Sequence, residues 1–453
     1  LTEGDDNVAL GAGSGNAIDT GDDNVVIGSS AAVALTAGSR NIAIGSNVLD
    51  AATTGSDHIF IGHDSGTNVA AGQVVTDGSI GIGSDALNAL TNGQRNLAIG
   101  RAAMSSNQTA NDNTAVGWYA LQDLTVDGNS RNTAIGNYAS KEITTGYYNT
   151  ALGHMALGTA TTALYNTAIG QHAMGEVKAG VAVDGCVAVG NEALLGNSSN
   201  NTNINGTIAI GKSALYSLTT GNGNIAIGVN ALDLVKDGSH NVAIGYDALT
   251  AAPEAASHNV AVGRDALKAH NLDGDGNNVA VGSEAGAAVT SGANNVIIGT
   301  GALKTATTAT KVVAVGGNAM LGADASDTHE GTVAVGYGAL MDLTTGDGNT
   351  AIGYEASGNV TSGVWNTSLG WGAHYTSAHA DGDENTCLGY GAGYDLTEGA
   401  NNTIVGSLAC NTGSNDLTTG DNNTVIGKSA NVSAVGAENQ TVIGASATGQ
   451  ADN

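Results

Sequence analysis

The sequence predicts an all-β fold, a parallel β-roll or β-solenoid of about 25 stacked repeats of 17–21 residues. Three observations carry this. A five-residue motif of the form Asn224-Ile225-Ala226-Ile227-Gly228 occurs in 25 versions, from Asn7–Gly11 to Gln440–Gly444. Its closing glycines recur almost evenly: 15 of the 24 intervals are 17 residues and the other nine are 18 to 21. Within the motif, apolar residues alternate with period two, the pattern of a strand.

The strand is the motif itself. The residue before the closing glycine is Ile, Val or Leu in all 25 copies, and the residue two earlier is Val, Ile, Leu or Thr. Those two side chains share one face. The residue between them is Ala, Gly, Ser or Cys in 19 copies and points the other way. A strand with one bulky and one small apolar face is expected to be buried on both sides. The closing Gly marks a corner with positive φ or close packing. A second short element follows, often ending Ala-Leu, as at Asp85-Ala86-Leu87 and Asp247-Ala248-Leu249. It reads as a second short strand. A polar turn such as Leu218-Thr219-Thr220-Gly221 completes the unit, and the extra residues of long repeats, such as Asn197–Gly206, are expected to loop outward there. Asn opens the motif in 18 copies; it suits a left-handed corner or a hydrogen-bonded ladder of stacked amides. A unit this small cannot bury its own faces, but stacked units can. No interval holds a separate domain, so residues 1–453 read as one repeat array. Val432–Gly436 reads as a degenerate extra motif.

Composition agrees. There are 69 Gly, one Pro, one Phe and 12% charged residues, with 41% apolar residues. The core must be thin, regular and aliphatic. A net charge of −28 excludes the basic footprint that nucleic acid or an anionic membrane requires, and no apolar run reaches membrane-spanning length. Cys186, Cys387 and Cys410 are too few for a disulfide framework, and Cys186 and Cys387, which sit inside repeat motifs, read as small buried fillers. Both ends fall inside repeats: Leu1–Asn7 matches Leu417–Asn423, and the chain stops at Asn453 where a motif would continue. It reads as an excerpt of a longer polypeptide.

The Asn-x-Ala-Ile-Gly motif resembles the head repeat of trimeric autotransporter adhesins. The longer form Asn349-Thr350-Ala351-Ile352-Gly353-Tyr354-Glu355-Ala356 is similar to repeats of bacteriophage tail fibres. The resemblance covers nearly the whole chain. It implies a left-handed roll, three of them packed around a common axis as a homotrimer, with the small Ala226-type residues toward the trimer interior. The usual 17-residue unit is longer than the compact adhesin unit. That favours the shaft of a phage tail fibre, with or without a receptor-binding surface. A bacterial surface adhesin or extracellular filament is the alternative, and a polysaccharide-degrading tailspike a third.

Candidate chemistry is sparse. Tyr337, Tyr354, Trp371 and Tyr390 follow the closing glycine in four successive units, with Trp365, Tyr375 and Tyr394 nearby. Stacked units should align such residues, either as a stabilising stack or as a strip on which host-surface glycans lie; Tyr337, Tyr354, Trp365, Trp371 and Tyr390 are the candidates for glycan contact. Trp118-Tyr119 is a smaller pair of the same kind. Asp273, Asp275, Asp381 and Asp383 place carboxylates on alternate residues of Gly-rich turns, as solvated turn residues or as weak calcium ligands; no other cofactor is expected. His374 and His379 lie close in sequence, without a zinc motif. Gly11–Gly15 lacks the lysine of a phosphate loop. Asp85, Glu192, Asp247 and Asp265 are turn carboxylates from which no catalytic pair stands out, so the chain reads as non-enzymatic.

Overall fold

Every copy of the motif folds as a three-residue strand held between its opening residue and its closing glycine. There are 25 of these among the described residues, from Val8–Leu10 to Thr441–Ile443. One further two-residue pair joins Ala110–Asn111 to Gly128–Asn129. The described residues hold no helix. The structure, a computed structural model, describes residues 4–69, 78–177, 183–196, 203–251, 256–324, 329–376, 381–413 and 415–450. The expected loop at Asn197–Gly206 lies mostly outside them, as does His379.

The chain divides into two compact units, Leu1–Asn224 and Ile225–Asn453. Each is a parallel β-solenoid in strict register. In the first, Ala9 pairs with Val26, Val26 with Ala43 and Ala43 with Phe60. In the second, Ala226 pairs with Ala243, Ala243 with Ala261 and Ala261 with Ala280. Like positions therefore stack in columns. Repeats of unequal length keep register because their extra residues fall outside the strand: Ile59–Ile61 pairs residue for residue with Ile80–Ile82 across the longer interval.

The alternation within the strand is as expected, but its sense is reversed. The small central residue faces the coil interior: Ala226, Ala243 and Ala351 are fully buried. The bulky neighbours face out, with Ile227 36% and Leu369 44% exposed. The strand is buried on one side of the chain, and the Ala226 column is an inner wall, closed to any partner. The coil is narrow, and its interior is already supplied with leucines by the segment that follows.

That segment is a turn run, not a second strand. Ala248 and Leu249 are adjacent and both fully buried, which a strand cannot achieve because neighbouring residues face opposite sides. Left-handed backbone at alternate residues, Asp247 (φ 52°) and Leu249 (φ 52°), folds both inward. A left-handed leucine costs about 1–2 kcal/mol. The neighbouring turns offset it: Asp247 N–H donates to Val229 O at 3.1 Å and Leu249 N–H to Ala266 O at 2.9 Å, one down the stack and one up.

The opening asparagines form a buried ladder. Asn149 Nδ2 donates to Asn132 Oδ1 (3.0 Å) and Ala163 O (2.7 Å), and Asn149 Oδ1 accepts from the backbone and side-chain amides of Asn166, both at 3.1 Å. In the second unit Asn278, Asn295, Asn402 and Asn423 repeat the arrangement. The left-handed corner belongs to the residue before, such as Tyr148 or His240. Of the two uses expected for asparagine, the ladder is the one adopted. Cys186 takes the asparagine position in its turn, buried, its N–H held by Asn166 Oδ1 at 2.8 Å. Val432–Gly436 forms a turn with no strand, Val432 inside and Val435 exposed.

Because the interior is narrow, bulk in one column is matched by its loss in another. Phe60 stands where most strands carry Ala. Gly81, its partner on the next strand, and Gly66 each lie where an added Cβ would come 2.7 Å from the ring. Ile297 and Ile404 likewise fill space left by Gly286 and Gly393, which occupy leucine positions of the turn before. Gly81→Ala alone is expected to cost about 1–3 kcal/mol by overpacking, and Phe60→Ala alone about 3–5 kcal/mol by leaving a cavity. Together they recreate the Ala–Ala pair of neighbouring turns and should cost clearly less than the sum. Urea denaturation of the four-member cycle tests this; additive losses would refute the compensation.

Candidate functional site

The outward residues of the strands form a continuous aliphatic row on each unit. In the second unit the position before the closing glycine runs Ile227, Ile244, Val262, Val281, Ile298, Val315, Val335, Ile352, Leu369, Leu388, Val405, Ile426 and Ile443 without a polar interruption. Register pairing puts consecutive members side by side. In the first unit Ile135 (38% exposed) and Leu152 (45%) belong to the same row. An apolar stripe of this length exposes several hundred Å² or more, beyond what scattered surface side chains explain. The bulk of Ile227-type residues was legible in the sequence. Their outward direction was not, because alternation alone does not say which face is inside.

Tyr337, Tyr354, Trp371 and Tyr390 do come together in one column, at the residue after the closing glycine. Their ring centroids lie 5.5, 5.7 and 5.1 Å apart with interplanar angles of 15°, 5° and 20°. The rings therefore stack on one another. Their faces are turned to each other and their edges and hydroxyls to solvent. The Tyr354 hydroxyl bonds the Glu355 carboxylate, which holds its pKa above the usual phenol value. Trp365 is not in this column. It sits at the left-handed corner before Asn366, over Gly348 of the preceding turn. Tyr375 and Tyr394 make a third contact, at 5.2 Å.

The first unit holds aromatic groupings of its own. Trp118 and Tyr119 extend to Tyr138, whose ring lies 5.6 Å from Tyr119 at 24°. Tyr148 and Tyr165 stack at 5.1 Å and 8°, with the Arg131 guanidinium 5.4 Å from the Tyr148 ring. The signal was present in the sequence: Tyr119 and Tyr138 share the second place after a closing glycine, and Tyr148 and Tyr165 both precede an opening asparagine.

The calcium candidates are dispersed. Asp275 pairs with His258 Nδ1 at 2.8 Å, Asp381 accepts from the Thr361 and Ser362 hydroxyls at 2.8 and 2.6 Å, and Asp383 accepts from Val364 N–H at 2.9 Å. Asp273 is exposed on its turn. Among the described residues no three His, Cys, Asp or Glu side chains converge as a metal site. Asp233 is raised to about 6, first by burial and then by Asp247; Asp247 itself is held by Asn230 and Lys268. Cys387 and Cys410 are buried, and burial raises both thiols, Cys410 to about 12.

Among the described residues four histidines are buried: His58, His270, His329 and His374. His58 stands in the asparagine ladder, with Asn41 Oδ1 on its N–H and its Nδ1 accepting from Ser79 N–H at 3.1 Å. His270 takes a core position that holds Leu90 elsewhere, and His374 takes the left-handed leucine position. Burial lowers His58, His270 and His374 to about 4.

A scan against protein-family models and a search of curated proteins give no match to this chain.

His58, His270 and His374 fix a pH dependence. Their folded values lie below 6.5, so as pH falls the unfolded chain takes up protons first. Their contribution is complete above pH 6.5 and is lost as pH drops from there toward 4. His374→Leu, which puts there the leucine that Leu340 supplies at the same place two turns earlier, should flatten that loss; urea midpoints at pH 7 and 4.5 will show it, and an unchanged difference would count against it. Trp371→Ala breaks two ring contacts at about 0.5–1.5 kcal/mol each. A loss of about 1–3 kcal/mol in thermal or chemical denaturation is expected, and none at all would mean the stack is not stabilising.

Proposed function

We propose that this chain is the shaft of a homotrimeric fibre, most consistent with a phage tail fibre. Its role is structural and adhesive, not enzymatic. The observation that carries this is the uninterrupted aliphatic row from Ile227 to Ile443, with its counterpart at Ile135 and Leu152. A side-chain row of this length gains stability when covered, and copies of one chain present matching rows in matching register. The trimer contact runs through the large outward residues, in place of the small ones first expected there. The repeat supports the setting: most turns are 17 residues, longer than the compact adhesin unit. Column stacking also places the described polar turns in series, and three copies of each surface raise avidity for a host receptor. In this reading the Tyr337–Tyr390 stack stiffens the shaft and offers a host glycan its edges and hydroxyls.

Sedimentation equilibrium tests the proposal directly. The expected mass is three times the 44.3 kDa of the chain. Ile227→Asp, Ile244→Asp and Ile352→Asp combined should release monomers with an unchanged far-ultraviolet spectrum. A native chain that is monomeric at micromolar concentration would overturn it.

A further inference from the structure

We propose that the first unit carries a second recognition site, a pocket for one sugar ring. A cavity of about 240 Å³ opens between two successive turns, lined by Tyr138, Lys141, Glu142, Met155, Gly158 and Thr159. These residues come from three columns. Tyr138 and Met155 stand second after their closing glycines, Lys141 and Gly158 fifth, Glu142 and Thr159 sixth. Gly158 lines the cavity without a side chain. The four preceding turns carry Asn88, Ser105, Gln122 and Lys141 at that place and the next carries Gly175; a Cβ on Gly158 would meet Met155 O at 3.1 Å and Gly175 O at 3.2 Å.

The lining suits a polyhydroxylated ring. Tyr138 is a fixed aromatic wall, stacked on Tyr119 at 5.6 Å and met edge-on by His154 at 6.1 Å. Met155 adds a soft apolar surface. Among the described residues, neither the Lys141 ammonium nor the Glu142 carboxylate is taken up by an ion pair or a side-chain hydrogen bond. Lys141 donates and Glu142 accepts, so neighbouring hydroxyls, which do both, satisfy the two together. The opposite charges cancel, which favours a neutral ring. The volume is below the ~300–1,000 Å³ of sites for drug-sized ligands, and it has room for one ring. A purely aromatic ligand would fill the space but leave both charged groups unused. No strand residue lines the cavity, so covering the aliphatic row does not consume it. The site does not depend on the fibre reading.

The test uses the full chain and saturation-transfer NMR with methyl β-D-glucopyranoside, methyl β-D-galactopyranoside and methyl N-acetyl-β-D-glucosaminide. At least one should show transfer, with a Kd near the millimolar range expected of a single ring. Gly158→Gln, which gives this turn the side chain of the Gln122 turn, should weaken it at least about tenfold. Lys141→Ala with Glu142→Ala, both at the surface, should do the same even where the glycine variant folds poorly. Absence of transfer from all three glycosides, transfer unchanged in both variants, or binding of phenol alone would overturn the site.

Discussion

The structure depends on one close approach. At closing glycines along both units, from Gly11 to Gly427, the backbone of the next turn passes where a side chain would begin. A Cβ on Gly228 would lie 2.3 Å from Gly245 O, and one on Gly336 would lie 2.1 Å from Gly353 O. The same glycines hold φ near 140°, a conformation side-chain-bearing residues rarely adopt. Space and torsion thus make the same demand at the same place. Meeting it lets turns stack at strand spacing, and that brings the asparagine amides within reach of one another. Register follows, because an asparagine shifted by one residue would lose its ladder partners and bury an unpaired amide.

Once register is strict, sequence becomes surface in a simple way. Any residue type that recurs at one place in the repeat becomes a column. Aliphatic residues before the glycine make an apolar row, aromatics after it make a stack of rings, and asparagines make a buried ladder. The interior obeys the same rule in reverse. It has a fixed cross-section, so Phe60 requires glycine at Gly81 and Gly66, and Ile404 requires Gly393. The proposed sugar pocket lies at a departure from the average repeat that remains on the outside, beside Gly158.

Much of this was legible in the chain. The strands, their ends, the stacking and the amide ladder follow from Asn-x-Ala-Ile-Gly and its spacing. Two things were misread for one reason. The alternation of Ile225, Ala226 and Ile227 says that two faces differ but not which is inside. The pair Ala248-Leu249 reads as a second strand by position, although two adjacent buried residues already argue for left-handed backbone. The site was less legible. The Tyr337–Tyr390 column was foreseen, while its ring-on-ring packing depends on side-chain rotation. The pocket beside Tyr138 was invisible, since it lies between side chains of two turns that meet only after stacking.

By itself, the sequence determined the repeat, the strand and the register, because these rest on local backbone demands and on the identity of residues at fixed spacing. Only the tertiary structure decided which apolar face points outward, which bulky core residue is matched by which glycine, and where the surface opens. Those outcomes depend on distances between turns, and residues 11 to 21 apart in the chain, such as Ile404 with Gly393 or Phe60 with Gly81, meet only after the turns have stacked.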